Sequence, residues 1–146
     1  MSDTDEILDA LTSSGKVISN EFGYALRTWT RSWQMTVHTV SAENGRIRSF
    51  SWIYRNLVGH LTERGDDASP KITGVVASIS NIGAVQLETR FAKPADSAVG
   101  YRILTADLGA GEPLFVDTSA DHPAGGADPD RFIDYLLDSI QGTATT

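Results

Sequence analysis

Cysteine is absent from the 146 residues, which removes disulfides, thiolate metal sites and a cysteine nucleophile together and fits a reducing compartment. Long apolar runs are absent too. Polar residues interrupt every stretch well short of the roughly 18 to 20 that a membrane span needs, so a soluble chain is expected. The first eleven residues hold four acids and no base, the reverse of a secretory n-region, and no export signal is expected. Lysine is scarce, three against nine arginines, a bias that carries no function. No internal repeat occurs, and the Gly- and Pro-bearing stretches are short loops, Asp107 to Pro113 and Ser119 to Asp128. One domain over 1–141 with a fraying, disordered tail at 142–146 is the expected division.

What the chain does carry is charge, unevenly placed. The net of −7 divides into an acidic start, a central span 16–64 with seven basic residues against three acids, and a stretch 107–138 with eight acids against Arg131 alone. A net acidic protein repels a phosphate backbone at long range, which makes nucleic acid a poor partner.

Hydrophobic periodicity organises the rest. Ser2 or Asp3 can cap a first helix whose Ile7, Leu8 and Leu11 share a face, and Ile18, Phe22, Ala25, Leu26, Trp29 and Trp33 continue near 3.6 spacing, predicting a second helix to about Thr30. The competing reading makes Tyr24 to Val40 one long strand. Asn44-Gly45 marks a type I′ hairpin turn. A two-residue loop sets Glu43 against Arg46 and, carried outward, places Thr39 opposite Phe50, Val37 opposite Trp52 and Met35 opposite Tyr54. That register gives one apolar face, leaving Thr36, His38, Val40, Ser49, Ser51 and Ile53 on a mostly polar one. Asn56 to Arg64 then reads as a short helix stopped by Gly65. A second hairpin, Ile72 to Ser80 with Ala84 to Ala92, turns on Asn81, Ile82 and a left-handed Gly83, and further strands are expected at Gly100 to Ala106 and Leu114 to Thr118. Asp128 as N-cap, Pro129 at the first position and Gly142 past the end delimit a last helix, buried through Phe132, Ile133, Leu136, Leu137 and Ile140. The expected fold class is α+β: an antiparallel sheet of about six strands built from hairpins, with N-terminal helices, a short middle helix and a C-terminal helix packed on it.

Chemistry-bearing motifs are few. No Gly-x-Ser-x-Gly occurs, and His38, His60 and His122 fall in different predicted elements, which argues against a serine triad and away from an enzyme. Asp117, Asp121, His122, Asp128 and Asp130 cluster, yet their spacing matches no calcium loop or His-Glu-x-x-His, and capping with a solvated loop explains them; no metal and no cofactor are expected. The glycines at 109 and 111, and at 125 and 126, lack a phosphate-loop lysine and lie among aspartates. Basic and aromatic residues alternate through Arg27, Trp29, Arg31 and Trp33 and again through Arg46 to Tyr54, a pattern that single-strand binders use but that core packing explains as well.

Two surfaces remain. Asp130, Asp134 and Asp138 follow at i, i+4 and i+8 along the last helix, a self-repelling row that a basic protein partner would relieve, with Asp121 nearby. The expected function is therefore a cytoplasmic, non-enzymatic protein-binding factor of adaptor, chaperone-like or immunity type, docking a basic partner there. The alternative is a small-molecule binder or small enzyme with an aromatic pocket between sheet and helices, formed by Trp29, Trp33, Trp52 and Tyr54. A homo-oligomer is a third candidate arrangement, and no membrane partner is expected.

Overall fold

Two tight turns and one bulge set the geometry of the first sheet. The computed structural model describes residues 3–13, 15–30, 35–66, 68–91, 100–118 and 128–145. Helices α1 (Asp3–Ser13) and α2 (Asn20–Thr30) lead into strands β1 (Val37–Glu43), β2 (Arg46–Tyr54), β3 (Leu57–Asp66) and β4 (Ser69–Ser78). A single 3-10 turn, Ile79–Asn81, precedes β5 (Val85–Phe91), β6 (Gly100–Ala106), β7 (Leu114–Asp117) and α3 (Pro129–Thr145). The fold is α+β, with two antiparallel sheets, β1-β2-β3-β4 and β5-β6-β7, in place of the one sheet expected.

The Asn44-Gly45 turn forms as its residue types demand, both with positive φ (54° and 79°), and Glu43 opposes Arg46. The expected register holds for one more pair and fails at Ser41, two residues beyond Glu43. Ser41 pairs with Ser49 but Ala42 with Ile47, so Arg48 is an extra residue on β2. Val40 then faces Phe50, His38 faces Trp52 and Val37 faces Ile53. One inserted residue reverses the parity of β1, so His38 and Val40, not Val37 and Thr39, accompany Phe50 and Trp52. The supposed polar face is consequently apolar where Val37, Ile53 and Val58 enter a second core.

Segment 56–64 is strand β3, not the expected helix. Arg55 (φ 55°) and Asn56 make a second tight turn, after which Tyr54 pairs with Leu57. Val58 and Leu61 are both fully buried on opposite faces of the sheet. A strand buried on both sides loses alternation, and Leu57, Val58 and Leu61 then imitate a helical stripe. Gly59 fits this strand closely: a Cβ there would lie 2.1 Å from Cζ2 of Trp52, so its absence is what lets the indole cross the neighbouring strand.

The expected hairpin between 72–80 and 84–92 does not form either. β4 completes the first sheet against β3, while β5 opens the second sheet against β6. The 3-10 turn carries the chain between sheets, its Ile79 buried in the core and Ile79 N–H bonded to Asn56 O at 2.7 Å. Gly83 takes no left-handed conformation.

The first sheet is covered on both faces, in two layers of different make. On one side α1 and α2 bury Ile7, Leu8, Leu11, Phe22 and Leu26 against Phe50, Trp52 and Leu61. That α2 is a helix settles residues 20–30 against the strand reading, and the Thr4–Thr30 hydroxyl pair (2.6 Å) ties the two helices inside. On the other side Val37, Ile53 and Val58 meet Leu104, Leu114 and Val116 of the second sheet and Phe132, Ile133 and Leu136 of α3. Asp128 caps α3 through Oδ1, which accepts Arg131 N–H at 3.0 Å, and the helix runs beyond Gly142 to Thr145. Among the described residues no helix is long and apolar enough to cross a membrane.

Candidate functional site

The second layer covers only part of the first sheet. Toward the Asn44-Gly45 end, β2 to β4 present Ser49, His60, Thr62, Arg64, Lys71 and Thr73, and this polar half lies open beneath the β6–β7 connection. The result is a cleft of about 830 Å³, lined from one sheet by Ser41, Glu43, Arg48, Ser49, His60 and Thr62 and from the other by Thr105, Pro113 and Phe115. A smaller recess of about 330 Å³ continues past Arg64 and Glu112 toward Lys71 and Thr73. Phe115 is half exposed at the rim, an aromatic ring above an otherwise hydrophilic floor.

The connection that roofs the cleft is held by its glycines. Asp107 Oδ1 accepts the Gly109 N–H at 2.8 Å, and Gly109 takes φ 85°. Gly111, at φ 68°, sits so close to β4 that a Cβ would meet Val75 Cγ2 at 2.3 Å. Leu108 is buried in the core beneath. This seating delivers Glu112 to Arg64, whose Nε donates to Oε1, an ion pair between the two recesses. Hydrogen bonding and the charge of Arg64 hold the Glu112 carboxyl below its usual range.

At one end of the cleft lies an ionic cluster that the helical reading of 56–64 hid. Glu63 has no exposed side-chain surface and takes three arginine hydrogen bonds: Arg46 Nε at 2.9 Å, Arg46 Nη2 at 3.2 Å and Arg48 Nη1 at 3.0 Å. Ser19 donates a fourth. Each partner is placed by a distinct backbone feature. The bulge leaves Arg48 without an opposite residue on β1, and its guanidinium turns to β3. Val17 pairs in parallel with Arg46, its N–H on Gly45 O and its carbonyl accepting Ile47 N–H, both at 2.8 Å. Two residues later Ser19 caps α2, Oγ accepting Phe22 N–H at 3.0 Å while its hydroxyl donates to Glu63. Burial alone would raise the Glu63 pKa, but the Arg46 and Ser19 hydrogen bonds and both guanidinium charges outweigh it and hold the carboxyl below its usual range.

His60 bridges two hydroxyls, Ser51 Oγ at 2.7 Å from Nδ1 and Thr62 Oγ1 at 3.0 Å from Nε2. Burial lowers its pKa, with Glu112 opposing in part, so the ring is neutral and one nitrogen donates while the other accepts. The spacing of Ser51 and His60 has the length of a nucleophile–base pair, yet Ser51 is 2% and His60 6% exposed. A hydroxyl that closed to the cleft is a packing bridge, not a nucleophile facing a substrate.

The residues singled out by sequence fall elsewhere. Arg102 on β6 reaches α3 and donates from Nη2 to Asp130 Oδ1 at 2.9 Å and from Nη1 to Asp134 Oδ1 at 2.8 Å. The row is therefore relieved within the chain for two of its three members, a neutralisation no i, i+4 reading of one helix can reveal; Asp138 stays exposed. Asp121, like His122 and Trp33, lies outside the described residues. Trp52 is fully buried beneath α1 and α2, tilted against Phe50 at 6.1 Å, and belongs to packed core. Trp29 is partly exposed beside Gly74, and Tyr54 lies under the Arg55 guanidinium at 5.2 Å. These aromatics line neither recess of the cleft, which occupies the opposite face of the sheet. Among the described residues no group of three His, Asp or Glu side chains is disposed to hold a metal ion. Strand alternation on 57–66 would have flagged Glu63 as an acid sharing the face of Leu61; no local signal pointed to Arg64 with Glu112.

Neither protein-family models, curated proteins nor solved structures match this chain.

Proposed function

We propose that the protein is a non-enzymatic binding factor that receives a polar, basic segment of a partner protein in the cleft between its two sheets. The observation that carries the reading is the uncovered polar half of a sheet otherwise buried on both faces. Hydroxyls of Ser41, Ser49, Thr62 and Thr105 offer donors and acceptors there, and the Phe115 ring supplies an apolar anchor at the rim. Arg46 and Arg48 share Glu63, and Arg64 is tied to Glu112, so with the exposed Glu43 the cleft carries, among the described residues, no free cation excess at its mouth, and it is the chain's net −7 that attracts basic side chains. Asp138 and the outward oxygens of Asp130 and Asp134 extend that field along α3 and serve here as steering charge. A cytoplasmic setting accompanies the reading, on the cysteine-free composition.

A second reading, a small polar ligand in the same cleft, is favoured by its volume of about 830 Å³, within the roughly 300 to 1,000 Å³ of ligand clefts. Photocrosslinking separates the two. A benzophenone side chain replacing Ser49 should capture a protein partner in host extract, and one replacing Asp138 should not. Capture from Asp138 alone would return the docking surface to α3. No protein adduct, with a small mass retained in native mass spectrometry, would decide for the ligand.

A further inference from the structure

We propose that β5 is a self-complementary edge and that two copies of this chain pair through it, antiparallel and centred on Thr89, joining their three-stranded sheets into one of six strands. Among the described residues β5 has a single neighbour, β6. Its ladder to β6 runs from Val85↔Ala106 to Phe91↔Gly100 without a register shift. Six of its seven residues are exposed, Leu87 at 43% and Phe91 at 55%. Edges that must stay single are commonly blunted by proline, a bulge or charged side chains; Val-Gln-Leu-Glu-Thr-Arg-Phe has no proline and no bulge, and its two charges, Glu88 and Arg90, are of opposite sign and so complementary to a second copy.

The order of residues argues for a second copy as the occupant. Antiparallel pairing about Thr89 sets Glu88 against the partner's Arg90 and Leu87 against the partner's Phe91, each twice by symmetry. Leu87, Thr89 and Phe91 share one face of the strand, Glu88 and Arg90 the other. Within one chain Glu88 and Arg90 already hold each other at 2.8 Å with both side chains about half exposed, so pairing builds a four-charge ring of alternating sign on one face. On the other face Phe91, whose ring covers Gly100 across the β5–β6 ladder, gains the partner's Leu87. A strand designed for an unrelated partner has no need to invert sign and repeat apolarity about a single residue, as Leu87 to Phe91 do about Thr89. The local match also overcomes the repulsion between two bodies of net −7.

Two experiments on the full chain decide. In sedimentation equilibrium the wild type should dimerise in the micromolar range. E88R or R90E, each placing like charges opposite, should weaken the dimer roughly tenfold or more, and E88R/R90E should restore it, since the swapped pair is again complementary. Circular dichroism of the same variants reports that the exposed exchanges leave the fold intact. The absence of cysteine makes disulfide trapping a clean register test: Thr89 meets its own copy at a Cα separation of about 4.5 to 5.5 Å, within bridging range. T89C should oxidise to a covalent dimer and Q86C, three residues off the axis, should not. A wild type monomeric throughout that range, a double variant no tighter than the singles, or equal oxidation of T89C and Q86C would each overturn the proposal.

Discussion

Replacing Glu63 by glutamine keeps the shape of the side chain and removes its charge, leaving Arg46 and Arg48 facing a neutral amide. Removing one partner of a buried ion pair costs about 3 to 5 kcal/mol because the other charge stays desolvated. Here the guanidiniums retain some water, at 14% and 28% side-chain exposure against none for Glu63. That partial solvation lowers the expectation for E63Q to about 2 to 3 kcal/mol at neutral pH. For a chain of this length it corresponds to a loss of roughly 5 to 10 °C in Tm. Urea unfolding followed by tryptophan fluorescence measures it, with Trp52 buried under the same helix layer. The pH dependence tests the cause. The folded Glu63 carboxyl titrates below its ordinary 4.5, so its contribution is complete above that value and is lost as pH falls through the folded pKa. The gap between wild type and E63Q should therefore close on acidification below pH 4.5. A gap under about 0.5 kcal/mol at neutral pH, or one that persists undiminished at about pH 3, would refute the account of Glu63 as the charge that organises this end of the sheet.

Other expectations follow from single contacts. G59A forces a Cβ into the Trp52 ring at 2.1 Å and should destabilise by about 1 to 3 kcal/mol or more; combined with W52F the loss should be less than additive in thermal unfolding. His60 has a folded pKa below its ordinary 6.5, so the unfolded chain takes up its proton first and stability falls as pH drops below that value. H60N should flatten this part of a stability-against-pH profile while the part due to Glu63 remains. R102A removes both ion pairs to α3, but Asp130 and Asp134 are more than half exposed, and the loss by denaturant titration should not exceed about 1 kcal/mol.

The elements most legible in the sequence are those fixed by a few adjacent residues. Asn44-Gly45 demanded positive φ at two positions and obtained it, Asp128-Pro129 opened α3, and Ile7, Leu8 and Leu11 chose one side of α1. β3 was illegible because its two buried faces erase the alternation that marks a strand, and Gly59, which reads as a flaw in a helix, is the space for Trp52 from the next strand. The candidate site was less legible still. Its bonded side chains are distant in sequence, Ser19 with Glu63 and Arg64 with Glu112, and they meet only once three strands, a helix cap and a glycine-seated loop are in place.

By itself the sequence determined the α+β class, the first helix, the first turn, β6, β7 and the start of α3, since caps, turn conformations and short apolar periods are settled within a few residues of backbone, while the choice between helix and strand for α2 waited on the structure. Tertiary structure alone decided that Arg48 bulges, that β4 and β5 part into separate sheets, that Arg102 quiets the acidic row and that half of a sheet face is left open. Each depends on which distant segment lies alongside. A one-residue shift in pairing reverses every side chain's face, and no local pattern carries that parity.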